Sequence, residues 1–155
     1  MICSEKKTMR SIRVLFLTVS AALIFSGFSQ ATDTADEAAA SELMLQRTEV
    51  LQRAMFGSRG QADIYSGLAA IETHPLLEED MRSLSEFRSS DADKVINMKI
   101  LRCVMTSKKG AVRFYDMTVR WYMLGYDGYY TEERSYRIRT STSGTEMSLS
   151  SLQAI

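Results

Sequence analysis

The sequence predicts an α+β fold in which N-terminal helices pack on a curved four-stranded antiparallel sheet, after a signal peptide. Three observations predict it. Apolar residues recur every three or four positions up to about Arg88, the period of a helix. From Lys94 onward they recur every second position, the period of a strand. Ahead of both lies an uncharged apolar run behind a basic lead, the layout of an export address.

The address comes first. Lys6, Lys7, Arg10 and Arg13 precede Val14–Phe28, VLFLTVSAALIFSGF, and Ser29-Gln30-Ala31 then places small residues at −3 and −1 of a cleavage site after Ala31. Basic lead, apolar run and small-residue site form a secretory signal peptide, residues 1–31. The run has 15 residues, short of the roughly 20 that span a bilayer core; an uncleaved anchor is the alternative. No Cys directly follows the run, so a lipid anchor lacks its acceptor. Met9 is a second candidate start, since Met9–Ala31 alone makes a compact signal. Residues 32–155 then form a single α+β domain of ordinary size.

Charge is uneven. Without residues 1–31 the chain holds 15 basic and 18 acidic groups. Thr32–Asp93 carries 5 Arg against 13 Asp and Glu, and Lys94–Ile155 carries 10 basic against 5 acidic residues. Either the two halves pack together and complement each other, or a basic sheet face meets an anionic partner. Nucleic acid is not expected, given the overall balance and the lack of a binding motif. Cys3 falls in the leader, which leaves Cys103 alone in MKILRCVM. No intrachain disulfide is expected, and Cys103 reads as a small buried hydrophobe.

Helix 1 is expected over about 35–56. Thr34 and Glu37 have capping-box spacing, and Leu43, Met44, Val50, Leu51, Ala54 and Met55 form one apolar stripe. Gly57 fits the left-handed position that ends a helix. In QADIYSGLAAIETH, Ile64, Leu68 and Ile71 suggest a short helix that Asp63 would cap and Gly67 weakens. Pro75 at a first helical position, with Glu78, Glu79 and Asp80 as a solvated first turn, starts a helix whose stripe is Leu77, Met81, Leu84 and Phe87. It runs to about Arg88, and SSDAD connects it to the sheet.

Four strands follow, over Val95–Thr106, Val112–Leu124, Tyr129–Thr140 and Glu146–Leu152. In the first, Ile96, Met98 and Ile100 share a parity that slips near Leu101–Arg102 toward Cys103 and Met105, as at a β-bulge. Ser107–Gly110 turns into the central hairpin. There Tyr115, Met117, Val119, Trp121 and Met123 point one way and Asp116, Thr118 and Arg120 the other. Asp127-Gly128 closes the hairpin. On the return strand Tyr130, Tyr136 and Ile138 face in, and Thr131, Glu133, Ser135, Arg137 and Arg139 face out. STSG makes the last turn, before a strand with Met147 and Leu149 on its apolar side. Short links make sequence neighbours pair in space. The sheet has one wet face and one face covered by helices.

This order of helices and strands resembles the NTF2-like superfamily of cone-shaped α+β folds. The residues behind the resemblance are helix 1 ending at Phe56-Gly57, the Leu76–Phe87 helix and the four strands. It implies a cone whose interior can hold a ligand. It does not imply an activity, because members range from enzymes to binding and scaffold domains. In the isomerase branch a Tyr hydroxyl near a buried Asp polarises a carbonyl. Here Asp116 and Glu132 are the nearby carboxylates, and Asp116 falls on the face opposite Tyr115, Met117 and Trp121.

Motifs for other chemistry are absent. There is no HExxH, no cysteine pair and no glycine-rich phosphate loop, so no metal, cofactor or catalytic residue is expected. His74, the one histidine, precedes Pro75 at an exposed helix start. The unusual feature is aromatic: Tyr115, Trp121, Tyr122, Tyr126, Tyr129, Tyr130 and Tyr136 crowd the hairpin. Aromatics in strands fill cores or make cross-strand pairs, and exposed Tyr marks interfaces. The candidate ligand- or partner-binding residues are therefore Tyr115, Trp121, Tyr126, Tyr129, Tyr130 and Tyr136. The expected function is an exported, non-enzymatic binding domain, secreted or extracytoplasmic, for an unknown protein or envelope component. It would touch membrane only through an uncleaved leader. The alternative is a small-molecule pocket protein of NTF2-like type with isomerase or lyase chemistry. N-terminal sequencing of the exported form should read from Thr32; a mature chain that retains Val14–Phe28 would identify an anchor instead.

Overall fold

The computed structural model describes residues 34–57, 60–87 and 93–155. The leader, its Ala31 site and most of the SSDAD connector lie outside them. Three helices precede four strands: α1 (34–56), α2 (Gln61–Ala69), α3 (Leu76–Glu86), β1 (Lys94–Lys109), β2 (Val112–Gly125), β3 (Gly128–Ser143) and β4 (Glu146–Ala154). The strands form one antiparallel sheet in the order β1-β2-β3-β4, the meander that short turns dictate. Asp36–Ile155 makes one compact unit. Among the described residues no helix is long and apolar enough to cross a membrane.

Side-chain alternation places the core. From β2, Tyr115, Met117 and Val119 are fully enclosed; Tyr136 and Ile138 of β3 and Leu149 of β4 join them. Ala40, Leu43 and Met44 of α1, with Ile71 and Leu76, cover this face. Burying side chains of this size contributes roughly 1.5–3 kcal/mol each, so the inward face of the sheet holds α1 in place.

The outer strands reach this core by breaking register. Strand β1 shifts between Val95 and Asn97, Ile100 and Arg102, and Met105 and Ser107. The middle shift is the expected slip. The first overturns the parity assigned to Ile96. The bulge turns Ile96 out to solvent, and Val95 is left half-buried beside Met98 and Ile100. With three bulges one strand keeps Val95, Met98, Ile100, Cys103 and Met105 on one side while the sheet bends. Strand β4 does the same once. Ser150 is passed over between Leu149 and Ser151, so Leu149 and Leu152 both face in. The Ser150 hydroxyl donates to the Arg139 carbonyl at 3.1 Å, which satisfies the carbonyl the bulge releases.

Both sheet edges are covered in part. Thr73 N–H donates to the Leu149 carbonyl and Leu149 N–H to the Ile71 carbonyl, each at 2.8 Å. A short parallel bridge thus occupies the β4 edge. At the β1 edge, Gln52 Oε1 accepts from Val95 N–H at 3.1 Å and Glu37 Oε1 from Met105 N–H at 3.0 Å. Glu37 therefore serves the sheet edge. Gln52 and Glu37 satisfy edge donors that would otherwise template another strand.

Several local expectations are corrected. Helix α3 begins at Leu76 with Pro75 as its N-cap. Helix α2 forms, but Gly60 rather than Asp63 caps it, and no side chain bonds there. Gly67 does not break α2. A Cβ at that position would stand 3.3 Å from Val50, so glycine lets α2 lie close to α1. Gly57 does not take up a left-handed φ. Its added Cβ would strike the Arg53 carbonyl oxygen at 2.3 Å, and this close approach requires glycine. Strand β1 continues to Lys109, so the turn is confined to Gly110-Ala111. Strand β3 likewise continues to Ser143, which leaves Gly144-Thr145 as the last turn.

The uncovered face has its own pattern. Lys99, Arg102 and Lys109 of β1, Arg120 of β2, and Arg137 and Arg139 of β3 share it, with Lys99 directly opposite Arg120. Asp116 pairs with Arg137 at 3.0 Å and Glu133 with Arg120 at 2.8 Å; Glu146 lies at the far end of β4. Between the charges run Thr118 and Ser135, whose hydroxyls are 3.2 Å apart. The two faces give opposite expectations for neighbouring residues. Met117→Ala should cost about 2–5 kcal/mol of unfolding free energy. Thr118→Ala, one residue away, should cost no more than about 1 kcal/mol. Urea unfolding of both variants checks the assignment.

Candidate functional site

The site lies at the Tyr130 end of the inward face, beyond the closed core. Strand alternation brings Trp121 and Met123 of β2 and Tyr130, Glu132, Arg134 and Tyr136 of β3 to one side. Met44 and Arg47 of α1, Asp93, Val95 and Leu152 complete a cleft of about 350 Å³. Two other hollows have similar size. One is bounded by Ala54, Ile64, Met81 and Phe87, the other by Glu42, Leu45, Gln52 and Ile96. The first cleft alone joins aromatic rings to charged groups on a sheet floor, the mixture expected of a binding site.

Its aromatic floor is fixed by one pair. Trp121 Nε1–H donates to the Tyr136 hydroxyl at 3.1 Å, and the rings meet edge to face, 6.3 Å apart at 84°. That geometry is favourable for aromatic quadrupoles. It also satisfies the indole N–H and leaves the ring surface for contact. At the rim, Arg134 Nε donates to Glu132 at 2.8 Å. The Tyr130 hydroxyl donates to Asp93, a bond that raises the pKa of the tyrosine. Gly125 makes room for that pair, because a Cβ there would stand 2.8 Å from the Asp93 carboxylate.

Behind the cleft lies a charged cluster that corrects the reading of Asp80. Asp80 is buried rather than solvated. Arg47 reaches Glu72 through Nε at 2.8 Å and Asp80 through Nη2 at 2.6 Å. Glu72 has no exposed side-chain surface. Burial pushes its pKa up to about 8; the nearby Asp80 adds to the rise and Arg47 opposes it. Two carboxylates sharing one guanidinium in a dry site hold a proton between them more easily than a second negative charge. Arg47 is the one member that lines the cleft.

The six aromatic candidates divide into three groups. Trp121, Tyr136 and Tyr130 come together in the cleft. Tyr126 and Tyr129 project from the hairpin end, Tyr129 with 79% of its surface exposed. Tyr115 lies in the closed core with none exposed and borders neither place; burial pushes its pKa up to about 12. Sequence reasoning missed Arg47, Glu72, Asp80, Asp93 and Arg134. A signal was present for Arg47, which falls between Met44 and Val50 on the apolar stripe of α1. Asp80 likewise stands four residues after Leu76, on the buried side of α3.

Other chemistry finds little footing. His74 Nδ1 contacts Glu78 at 2.8 Å on an exposed helix start. Cys103 packs half-buried against the core, and burial raises its pKa. Among the described residues no three of His, Cys, Asp and Glu converge to hold a metal ion.

No family model matches the sequence, and no curated protein is recognisably similar to it. Several solved structures align with the chain, two of them as follows. The intermembrane space region of the chloroplast protein ARC6 aligns over 77% of this chain and 95% of its own, at 10% identity and a TM-score of 0.49. A designed β-sheet protein solved by NMR aligns over 81% of this chain and 88% of its own, at 14% identity and a TM-score of 0.37. Neither likeness is close enough to bear on function.

The buried cluster sets a pH dependence. A carboxyl group whose folded pKa is raised contributes stability that is fully present below its unfolded pKa of 4.5 and is lost as pH rises through about 8. The melting temperature should therefore fall between pH 5 and 8.5 on this account. Glu72→Gln, which keeps the hydrogen bond without a titrating group, should flatten that decline. Arg47→Ala strands both carboxylates and should cost about 3–5 kcal/mol near neutral pH. Calorimetry across the pH range checks both.

Proposed function

We propose that this chain is an exported, non-enzymatic binding domain that engages an extracytoplasmic protein or peptide at the hairpin end of its sheet. The observation that carries this reading is the place of Tyr130, which follows the exposed Tyr126 and Tyr129 in the hairpin and joins the Trp121–Tyr136 floor. Tyr130 belongs to the hairpin and also lines the cleft. A partner laid across the exposed tyrosines would direct one apolar or aromatic side chain onto the indole. Tyr and Trp give large contact area at low conformational cost, as interface anchors do. The basic lead and apolar run before Thr32 support export.

The pocket reading of NTF2-like type stands second, because a cleft of about 350 Å³ suits a small ligand. The acid with the displaced pKa, Glu72, is sealed behind Arg47, so it cannot reach a bound molecule to exchange a proton. That favours binding over isomerase or lyase chemistry.

Trp121 is the single tryptophan, so emission from the protein reports on the cleft directly. Peptides selected for binding should shift that emission saturably. Tyr126→Ser with Tyr129→Ser should weaken them about tenfold or more, equivalent to about 1.4 kcal/mol. Binders that leave Trp121 emission unchanged and tolerate both substitutions would place the interface elsewhere.

A further inference from the structure

We propose that the uncovered face of the sheet is a second binding surface, for an anionic polysaccharide that bears a carboxylate on its repeating sugars. The observation is the distribution of charge. The sixteen residues of β1 include Lys94, Lys99, Arg102, Lys108 and Lys109 and no acid. Lys99, Arg102 and Lys109 share the uncovered face with Arg139 of β3. Among the described residues these four make no ion pair; Arg139 Nε donates to the Ser150 hydroxyl at 3.0 Å. The acids on that face are Asp116 and Glu133, each held by its own arginine, and Glu146 at the margin. Unpaired cations spread along a strand provide a track for a linear polyanion, and Arg additionally suits the planar fork of a carboxylate.

Two further features select a glycan over the other polyanions. Phe114 and Tyr122 share this face, each half-buried, with the hydroxyl residues Thr118, Ser135 and Ser151. Aromatic and hydroxyl side chains on one face offer stacking and hydrogen bonds to sugars. Half-buried rings offer a bilayer less apolar surface than they offer a flat sugar ring. The helix layer bears the chain's acidic excess, so a polyanion approaching that side is repelled and meets the sheet side instead.

The test uses the purified protein on immobilised polyuronate, with neutral dextran, anionic phospholipid vesicles and duplex DNA in parallel. Retention on polyuronate is expected at about 50 mM salt and loss by several hundred mM, as charge contacts screen. Lys99→Glu with Lys109→Glu keeps the β1 edge charged and should abolish retention. Arg102→Ser or Arg139→Ser alone should weaken it several-fold, with circular dichroism unchanged. Arg53→Ser with Arg82→Ser, on the helix side, should leave it intact. Retention that survives the β1 reversal would overturn the proposal, as would equal loss on the helix-side control. Vesicles or DNA binding as tightly as polyuronate would also overturn it, by showing a surface without selectivity for a glycan.

Discussion

Arg47 is the interaction on which the arrangement of the layers turns. It leaves the middle of α1, crosses to Glu72 beside the β4 edge, and continues to Asp80 on α3. Three segments far apart in sequence are thereby set at one distance and one rotation. Burying such a cluster is costly, and an apolar replacement of the same shape often stabilises as well or better. What the cluster supplies is uniqueness. The apolar stripe of α1 could slide or roll on a curved sheet with little loss of contact, but two carboxylates accept the guanidinium in one geometry. Glu72 is itself fixed, because its neighbours Ile71 and Thr73 bond to Leu149. Position therefore passes from the sheet edge, through the cluster, to the helix whose Met44 and Arg47 form one wall of the cleft.

The sheet half of the fold was legible because alternation is a local signal. Tyr115, Met117, Val119, Tyr136 and Ile138 lie on the face that their parity assigns, and the turns fall at Tyr126-Asp127, Gly110-Ala111 and Gly144-Thr145. Parity read at fixed steps failed in β1, where a bulge at Ile96 reverses the sides. Nothing in the residues Val-Ile-Asn announces that reversal; it follows from the need of an edge strand to stay in contact with a bending sheet. Glycine was misread for a related reason. Gly57 and Gly67 are required by what stands next to them, Arg53 and Val50, and neighbours across space are not written in a local pattern.

The candidate site was half legible. The crowding of Tyr and Trp in the hairpin pointed to the end of the sheet where Trp121, Tyr130 and Tyr136 line the cleft. The same signal also named Tyr115, because parity gives a residue's face but not how far along that face the core closes. The charged residues escaped for the opposite reason. Glu78-Glu79-Asp80 reads as one solvated run, yet a helix turns by 100° per residue. Two of its carboxylates meet water and the third meets Arg47. An arginine at Met44 plus three, inside an apolar stripe, was the available warning.

The order of elements along the chain has a consequence for biogenesis. The ribosome releases α1, α2 and α3 first and the meander last. At about 5–20 residues per second, the roughly sixty residues of the sheet take several seconds more to appear. Throughout that interval Leu43, Met44 and Leu76 have no floor to rest on, and Arg47 has no strand edge to fix its partner Glu72. Until the sheet forms, the apolar stripe of α1 stays uncovered, the kind of exposed surface that makes incomplete folds prone to aggregate. The C-terminal strand, by docking Leu149 against Ile71 and Thr73, is the last stitch that closes the molecule.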